Sequence, residues 1–252
     1  MDKRGIVDND LIPLLLQVRD DAIRDISLLT FDKQHPQHLY AICLYATILE
    51  IAYESLLLVE KRRFTTLPTL MRSLLEAYAD FLNTLEKPEY FKNMYASFLK
   101  QKLDLVRKAK KNPDNPYLKD VVESVDLKQA QTNLESEIER LKDSGHSPLN
   151  VTERFSKAGL SNEYQSVYWL LCLNTHNNVY DLENRHIEKT GDDYAVALFK
   201  ENSPDDLIRY FDTLAATLID SSIRIYDFLA TKTSHRFDRH LKALNAIRSN
   251  YR

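Results

Sequence analysis

The stretch Leu67–Leu85, LPTLMRSLLEAYADFLNTL, decides the fold. Leu67, Leu70, Met71, Leu74, Leu75, Tyr78, Phe81, Leu82 and Leu85 recur at three- and four-residue spacing, which predicts a well-buried helix. Thr65 or Thr66 can cap it, Pro68 fits its first turn, and Lys87-Pro88 marks its end or a sharp kink. Arg72 and Glu76 interrupt the apolar stripe, four apart on one face. Charges beside so broad an apolar surface are expected to be paired or to face a wet cleft, because burying either alone is expensive.

The rest of the chain repeats this helical grammar. A stripe from Leu11 to Leu29 predicts a first helix starting near Asp8 or Asn9, with Pro13 in its first turn. Residues 36–63 carry two stripes. Ile42, Ala46, Leu49, Tyr53, Leu56 and Leu57 form one; Ala41, Tyr45, Ile48, Ala52 and Ser55 form the other. A helix with neighbours on two sides follows, leaving Glu50 and Glu54 a narrow exposed edge. Pro88 to about Lys111 and Tyr117 to Lys142 read as two polar helices around the turn NPDNP, the second with a thin stripe that includes Val125. They are expected to form a coiled-coil-like projecting arm over residues 99–142. Beyond it come a short helix ending at Gly159, a long helix from Ser161 or Asn162 to near Thr190, and a helix opened by Ser203-Pro204-Asp205-Asp206. A basic helix over 234–250 closes the chain. Residues 192–202, DDYAVALFKEN, read as irregular or as one short helix, and no strand is expected.

Composition agrees. Glycine occurs only 4 times in 252 residues, too few for glycine-rich phosphate loops or many hairpins. The expected fold is all-α: one domain over 1–252, an antiparallel bundle of about seven to nine helices. A net charge of −3 argues against a large nonspecific nucleic-acid surface, though local basic patches remain in 102–111 and in Arg236, Arg239, His240, Lys242, Arg248 and Arg252. Lysines at a helix C-terminus and a solvated terminal helix account for them equally well. Cys43 and Cys172, in apolar helical context, are expected to be buried free thiols. The N-terminus lacks a secretory pattern, and no uninterrupted apolar run reaches membrane-spanning length, so a cytoplasmic protein without membrane contact is expected.

Candidate chemistry centres on the helix around Trp169. Tyr168, Cys172, His176 and Tyr180 follow one another four apart. If this helix meets the one at Leu67–Leu85, then Arg72, Glu76, Tyr168 and His176 form a polar cluster. Such a cluster could do acid–base work, with His176 as base or acid and Arg72 holding a phosphate. It could equally be a hydrogen-bond network fixing helix register. No metal or cofactor is expected: HExxH and CxxC are absent, and Glu183-Asn184-Arg185-His186 supplies the Glu-x-x-His spacing once where a di-iron bundle needs it twice. Phosphate-loop, dinucleotide and nucleophile-elbow motifs are absent too.

The phrases TLMRSLLEAYADFLNTL and YQSVYWLLCLNTHNNVY resemble the bacterial helical family known as domain of unknown function 5677. Its Arg-Ser-x-x-Glu helix and downstream Tyr/His helix fall on Arg72, Ser73, Glu76, Tyr168 and His176. The resemblance covers roughly Leu39 to Tyr180 and implies no settled activity. In part the family is also similar to the HEPN ribonucleases of defence and toxin systems, whose Arg–polar–His pattern this chain departs from. Arg154 has no His at that spacing, Arg185 and His186 are adjacent, and Arg236 and His240 lack the polar start. Two function classes follow as expectations. The first is a helical interaction or regulatory protein, through the resemblance linked to bacterial stress or phage defence, with a protein partner or a second copy. The second is a metal-independent ribonuclease or phosphodiesterase acting on RNA.

Overall fold

The computed structural model describes residues 2–124, 126–175, 178–191, 193–200, 202–230 and 235–251. The fold is all-α with one small hairpin. The helices are α1 (Lys3–Gly5), α2 (Ile12–Asp25), α3 (Pro36–Glu60), α4 (Leu67–Glu86), α5 (Tyr90–Lys111), α6 (Lys119–Ser124), α7 (Leu127–Asp143), α8 (Val151–Lys157), α9 (Ser161–Glu163), α10 (Trp169–Thr175), α11 (Val179–His186), α12 (Pro204–Phe228) and α13 (His235–Arg248). Strands β1 (Ile187–Thr190) and β2 (Asp193–Val196) pair antiparallel between α11 and α12, with Glu188 opposite Ala195.

Helix α4 packs along α3, and α10, α8 and α12 cover its other sides. α12 is the central staff, touching α2, α3, α4 and α13. Its start follows the sequence signal: Ser203 caps it by accepting from the Asp206 N–H, with Pro204 in the first turn. Tyr45, Phe81, Phe155, Phe211, Tyr226 and Phe237 fill one core, each at most 2% exposed. A separate small core, Ala96, Leu99, Leu103, Ile138 and Leu141, holds α5 against α7. Those two helices therefore form an arm with its own packing, joined to the main body near the start of α5 by the Tyr40–Phe91 ring stack.

Several boundaries differ from the sequence reading. The first helix begins at Lys3 and runs through a π-helical segment, Ile6–Leu11, before α2. Pro13 lies inside this longer helix and has no N–H to donate, and just upstream Ile12 N–H reaches back five residues to the Val7 carbonyl. The second arm helix is broken: Asp126 accepts from the Lys128 and Gln129 N–H groups and starts α7 afresh. Val125 lies outside the described residues. The long helix expected to reach Thr190 is interrupted, since Asn178 is extended and caps α11, and Ile187–Thr190 pairs with Asp193–Val196 in a hairpin instead. Thr190 pairs with Asp193, Gly191 after it takes a left-handed φ of +66°, and Ile187, Tyr194 and Val196 supply strand-favouring side chains. Neither thiol is fully buried, since Cys43 is exposed and Cys172 half-buried. Cys43 falls on the outward face of α3, opposite the Ala41–Tyr45–Ile48 stripe. That helix is long and apolar enough to cross a membrane by length and composition, and only 39% of its most apolar window is buried.

The basic C-terminal helix is turned inward. Arg236 reaches both carboxylate oxygens of Asp25 at 2.9 Å, and Arg239 and His240 both bond Asp21, the imidazole Nε2 at 2.8 Å. Arg248 pairs with Asp212 at 2.6 and 3.0 Å. Arg252 lies outside the described residues. Burial raises the Asp21 carboxyl, but hydrogen bonds from His240, Arg239 and Arg24 more than offset it and bring the pKa from 3.8 to about 2. The folded pKa is depressed, so this stabilisation is full above pH 3.8 and disappears as pH falls toward 2. Because Arg239 and Arg24 are well solvated, it is worth about 1–2 kcal/mol. Asp21→Asn should lower stability at pH 7 by that amount and flatten the loss between pH 4 and 2. Urea titrations across that range check this; parallel wild-type and variant curves would count against it.

Candidate functional site

Helix α4 carries a polar ladder on one side. Arg72, Glu76 and Asp80 follow one another four apart, so their side chains stack along one face. Asn83 and Thr84 continue the row toward the end of the helix. Three other elements bring partners to it.

The first partner is Tyr168, at the end of a π-helical turn, Tyr164–Tyr168, that leads into α10. Its hydroxyl donates to Glu76 Oε1 at 2.7 Å and accepts from Arg72 Nε at 3.1 Å, while Arg72 Nε also reaches Glu76 Oε1 at 3.2 Å. The Arg72 guanidinium lies 5.6 Å from the Tyr168 ring centroid, a cation–π distance. Phe155 sets the ring from below, at 4.7 Å between centroids, and Tyr164 stacks on it at 5.3 Å.

The second partner is Arg154 from α8. This short helix is held by a capping box in which Asn150 and Glu153 bond each other's backbone N–H. Arg154 donates to Glu76 Oε2 at 2.9 Å and to Asp80 Oδ2 at 2.7 Å, bridging two carboxylates one helical turn apart. The third is Tyr90, at the start of α5, whose hydroxyl donates to Asp80 Oδ1 at 2.6 Å. Asn83 ties the same region down, donating to the Ala79 and Arg154 carbonyls.

Every carboxylate oxygen in the ladder therefore has a donor, and two guanidinium charges face two carboxylates. Burial raises the Glu76 carboxyl, but Tyr168, Arg154 and Arg72 together hold it below the ordinary carboxylate range. Asp80 behaves oppositely: it is more deeply buried, and desolvation outweighs Arg154 and Tyr90 and raises its pKa. Burial, with the neighbouring carboxylates, pushes the Tyr168 and Tyr90 hydroxyls up, so both act as neutral donors.

The structure thus brings together Arg72, Glu76 and Tyr168 from the sequence-derived set. His176 lies outside the described residues. Sequence reasoning missed Asp80, Arg154 and Tyr90. Asp80 was findable, since it is the next rung at i+4 from Glu76. Arg154 and Tyr90 carry no such signal, because only the packing of α8 and α5 on α4 aims them there.

A cleft of about 550 Å³ opens beside this network. Glu76, Asp80 and Arg154 form its floor, Met94 and Phe98 of α5 one wall, and Leu149 and Val151 another. Among the described residues, no group of three or more His, Cys, Asp or Glu is placed to hold a metal ion.

Residues 38–194 match a family described as a family of unknown function, DUF5677. The chain belongs to this family. The matched span takes in Arg72, Glu76, Asp80, Tyr90, Arg154 and Tyr168, so the network lies wholly inside the part of the chain that matches DUF5677. Helices α12 and α13 lie outside it. Neither a curated protein nor a solved structure matches the chain.

Proposed function

We propose that this DUF5677 protein is a cytoplasmic helical interaction protein whose polar network clamps helices together and performs no chemistry of its own. One observation carries the reading. Both oxygens of Glu76 and both of Asp80 are already engaged by Arg72, Tyr168, Arg154 and Tyr90, which leaves no free carboxylate poised as a general base. A closed network of this kind fixes the register of α4, α5, α8 and α10. The arm built by α5 and α7, with a core of its own, gives the body a projecting element suited to a partner. The association with stress or phage defence has no support in this geometry and forms no part of the proposal.

A second reading is a metal-independent ribonuclease with His176 as acid or base and Arg72 on the phosphate; the cleft lined by Glu76, Asp80 and Arg154 favours it by giving RNA a place to enter beside Glu76, the partner of Arg72. An RNA-cleavage assay in chelator separates the two. Under the interaction reading, wild type, Arg72→Ala and His176→Ala all stay at the buffer rate. Cleavage by wild type that drops a hundredfold or more in a folded His176→Ala variant would replace it with the nuclease reading.

A further inference from the structure

Helix α3 presents an unusual outward face. Tyr40, Cys43, Thr47, Glu50, Glu54 and Leu57 are all exposed and follow one another at alternating spacings of three and four, the pattern of a coiled-coil seam. Leu39 and Tyr53 flank it, 40% and 42% exposed. The helix itself carries acid but no base: between Pro36 and Glu60 there are three glutamates and no lysine or arginine, and Arg19 of α2 reaches only the edge of the face, over the Tyr53 ring and to Glu60. Among the described residues Glu50 and Glu54 have no cationic partner.

The arm offers the complement. On α5, Met94, Phe98, Gln101, Leu105 and Lys108 repeat the same three–four spacing on the side away from α7. Phe98 and Leu105 are 46% and 41% exposed. Lys108 ends this stripe and Lys102 borders it beside Phe98 and Leu105, as charged residues border a coiled-coil seam. Among the described residues neither has a carboxylate partner; Lys102 rests over the Phe98 ring, 4.7 Å from its centroid. From Lys100 to Lys111 there are six basic residues against Asp104 alone. Glu50 and Glu54 are about 6 Å apart along their helix and Lys102 and Lys108 about 9 Å, a mismatch that flexible lysine stems span.

We propose that two copies of this chain pair reciprocally, the α5 stripe of each lying along the α3 face of the other. Run antiparallel, Phe98 of one copy then meets Leu57 of the other and Leu105 falls beside Tyr53, while Lys102 and Lys108 approach Glu54 and Glu50. An anionic membrane surface suits the arm stripe but is repelled by the two glutamates, and a second copy satisfies both faces at once. A reciprocal contact closes on itself, as two-fold dimers do. The inference rests on the interaction reading above but uses none of the network residues, so its failure leaves the network account standing.

The experiment is a charge swap followed by solution mass. Wild type should sediment at twice the 29.4 kDa chain mass. Glu50→Lys/Glu54→Lys and Lys102→Glu/Lys108→Glu should each be folded by circular dichroism and shift at least tenfold toward monomer. Mixing the two variants should restore the dimer, because one crossing then has both charges reversed and the other keeps the native pair. Folding defects alone cannot produce that rescue. A monomeric wild type, open chains larger than two, dimeric single-face variants, or variants that stay monomeric when mixed would each overturn the proposal. So would a monomeric wild type that floats with phosphatidylglycerol vesicles, which would assign the face to lipid.

Discussion

Arg154→Ala should destabilise the protein by about 3 kcal/mol at neutral pH, because it leaves two carboxylates beside the core with half their countercharge gone. Arg154 is the only described cation bonded to Asp80, and it also serves Glu76 Oε2. For a chain of this size the loss corresponds to a Tm drop of roughly 6–12 °C. The sign of its pH dependence follows from Asp80. That carboxyl already has a raised pKa with Arg154 present, so removing the arginine raises it further. A raised folded pKa gives stability at low pH that is lost as pH rises through it. The penalty should therefore shrink as the pH is lowered toward the carboxylate range. Urea unfolding of both proteins at several pH values reads this directly. A constant penalty would mean that lost packing of the arginine stem, not the buried charge, dominates.

Phe155→Ala should cost about 3–5 kcal/mol, the usual range for emptying a fully buried aromatic site. Phe155 is 0% exposed and meets the rings of Tyr164 and Tyr168 at 5.5 and 4.7 Å. The change removes the platform under Tyr168 as well as core volume, so the Tyr168 hydroxyl should lose its fixed position against Glu76. Phe155→Leu keeps most of the volume and should cost less than half as much. Near-ultraviolet circular dichroism should show a weakened tyrosine signal in Phe155→Ala at urea concentrations where far-ultraviolet helicity is intact. Unchanged tyrosine signals would separate the ring cluster from the network.

Helices were legible where one strong periodicity ran uninterrupted. The Leu67–Leu85 stripe and the Ser203-Pro204-Asp205-Asp206 start gave α4 and α12 nearly to the residue. The hairpin was not legible, because Ile187 to Val196 has only four residues per strand, too few for alternation to stand out. The inward turn of the C-terminal helix was hidden for another reason. Arg236, Arg239 and His240 read as a basic surface until Asp21 and Asp25, more than two hundred residues away, are placed beneath them. Arg154 was hidden in the same way, since its partners on α4 are more than seventy residues earlier. Charged residues report their own chemistry in sequence, whereas the identity of their partners is a property of tertiary packing. The exposed face of α3 shows the converse. Its apolar content predicted neighbours on two sides; α4, α12 and α2 do bury Leu49 and Leu56 as well as the Ala41–Tyr45–Ile48 stripe, yet Tyr53 and Leu57 stay exposed.

The central claim is that Arg154 and Asp80 act as one unit closing the network on α4. A double-mutant cycle of Arg154→Ala and Asp80→Asn, followed by urea unfolding at pH 7, tests it most directly. The expected result is a coupling energy of about 1.5 kcal/mol or more, with the double variant much more stable than the sum of the single losses implies. Additivity within about 0.5 kcal/mol would mean the two side chains do not work together, and would contradict the account.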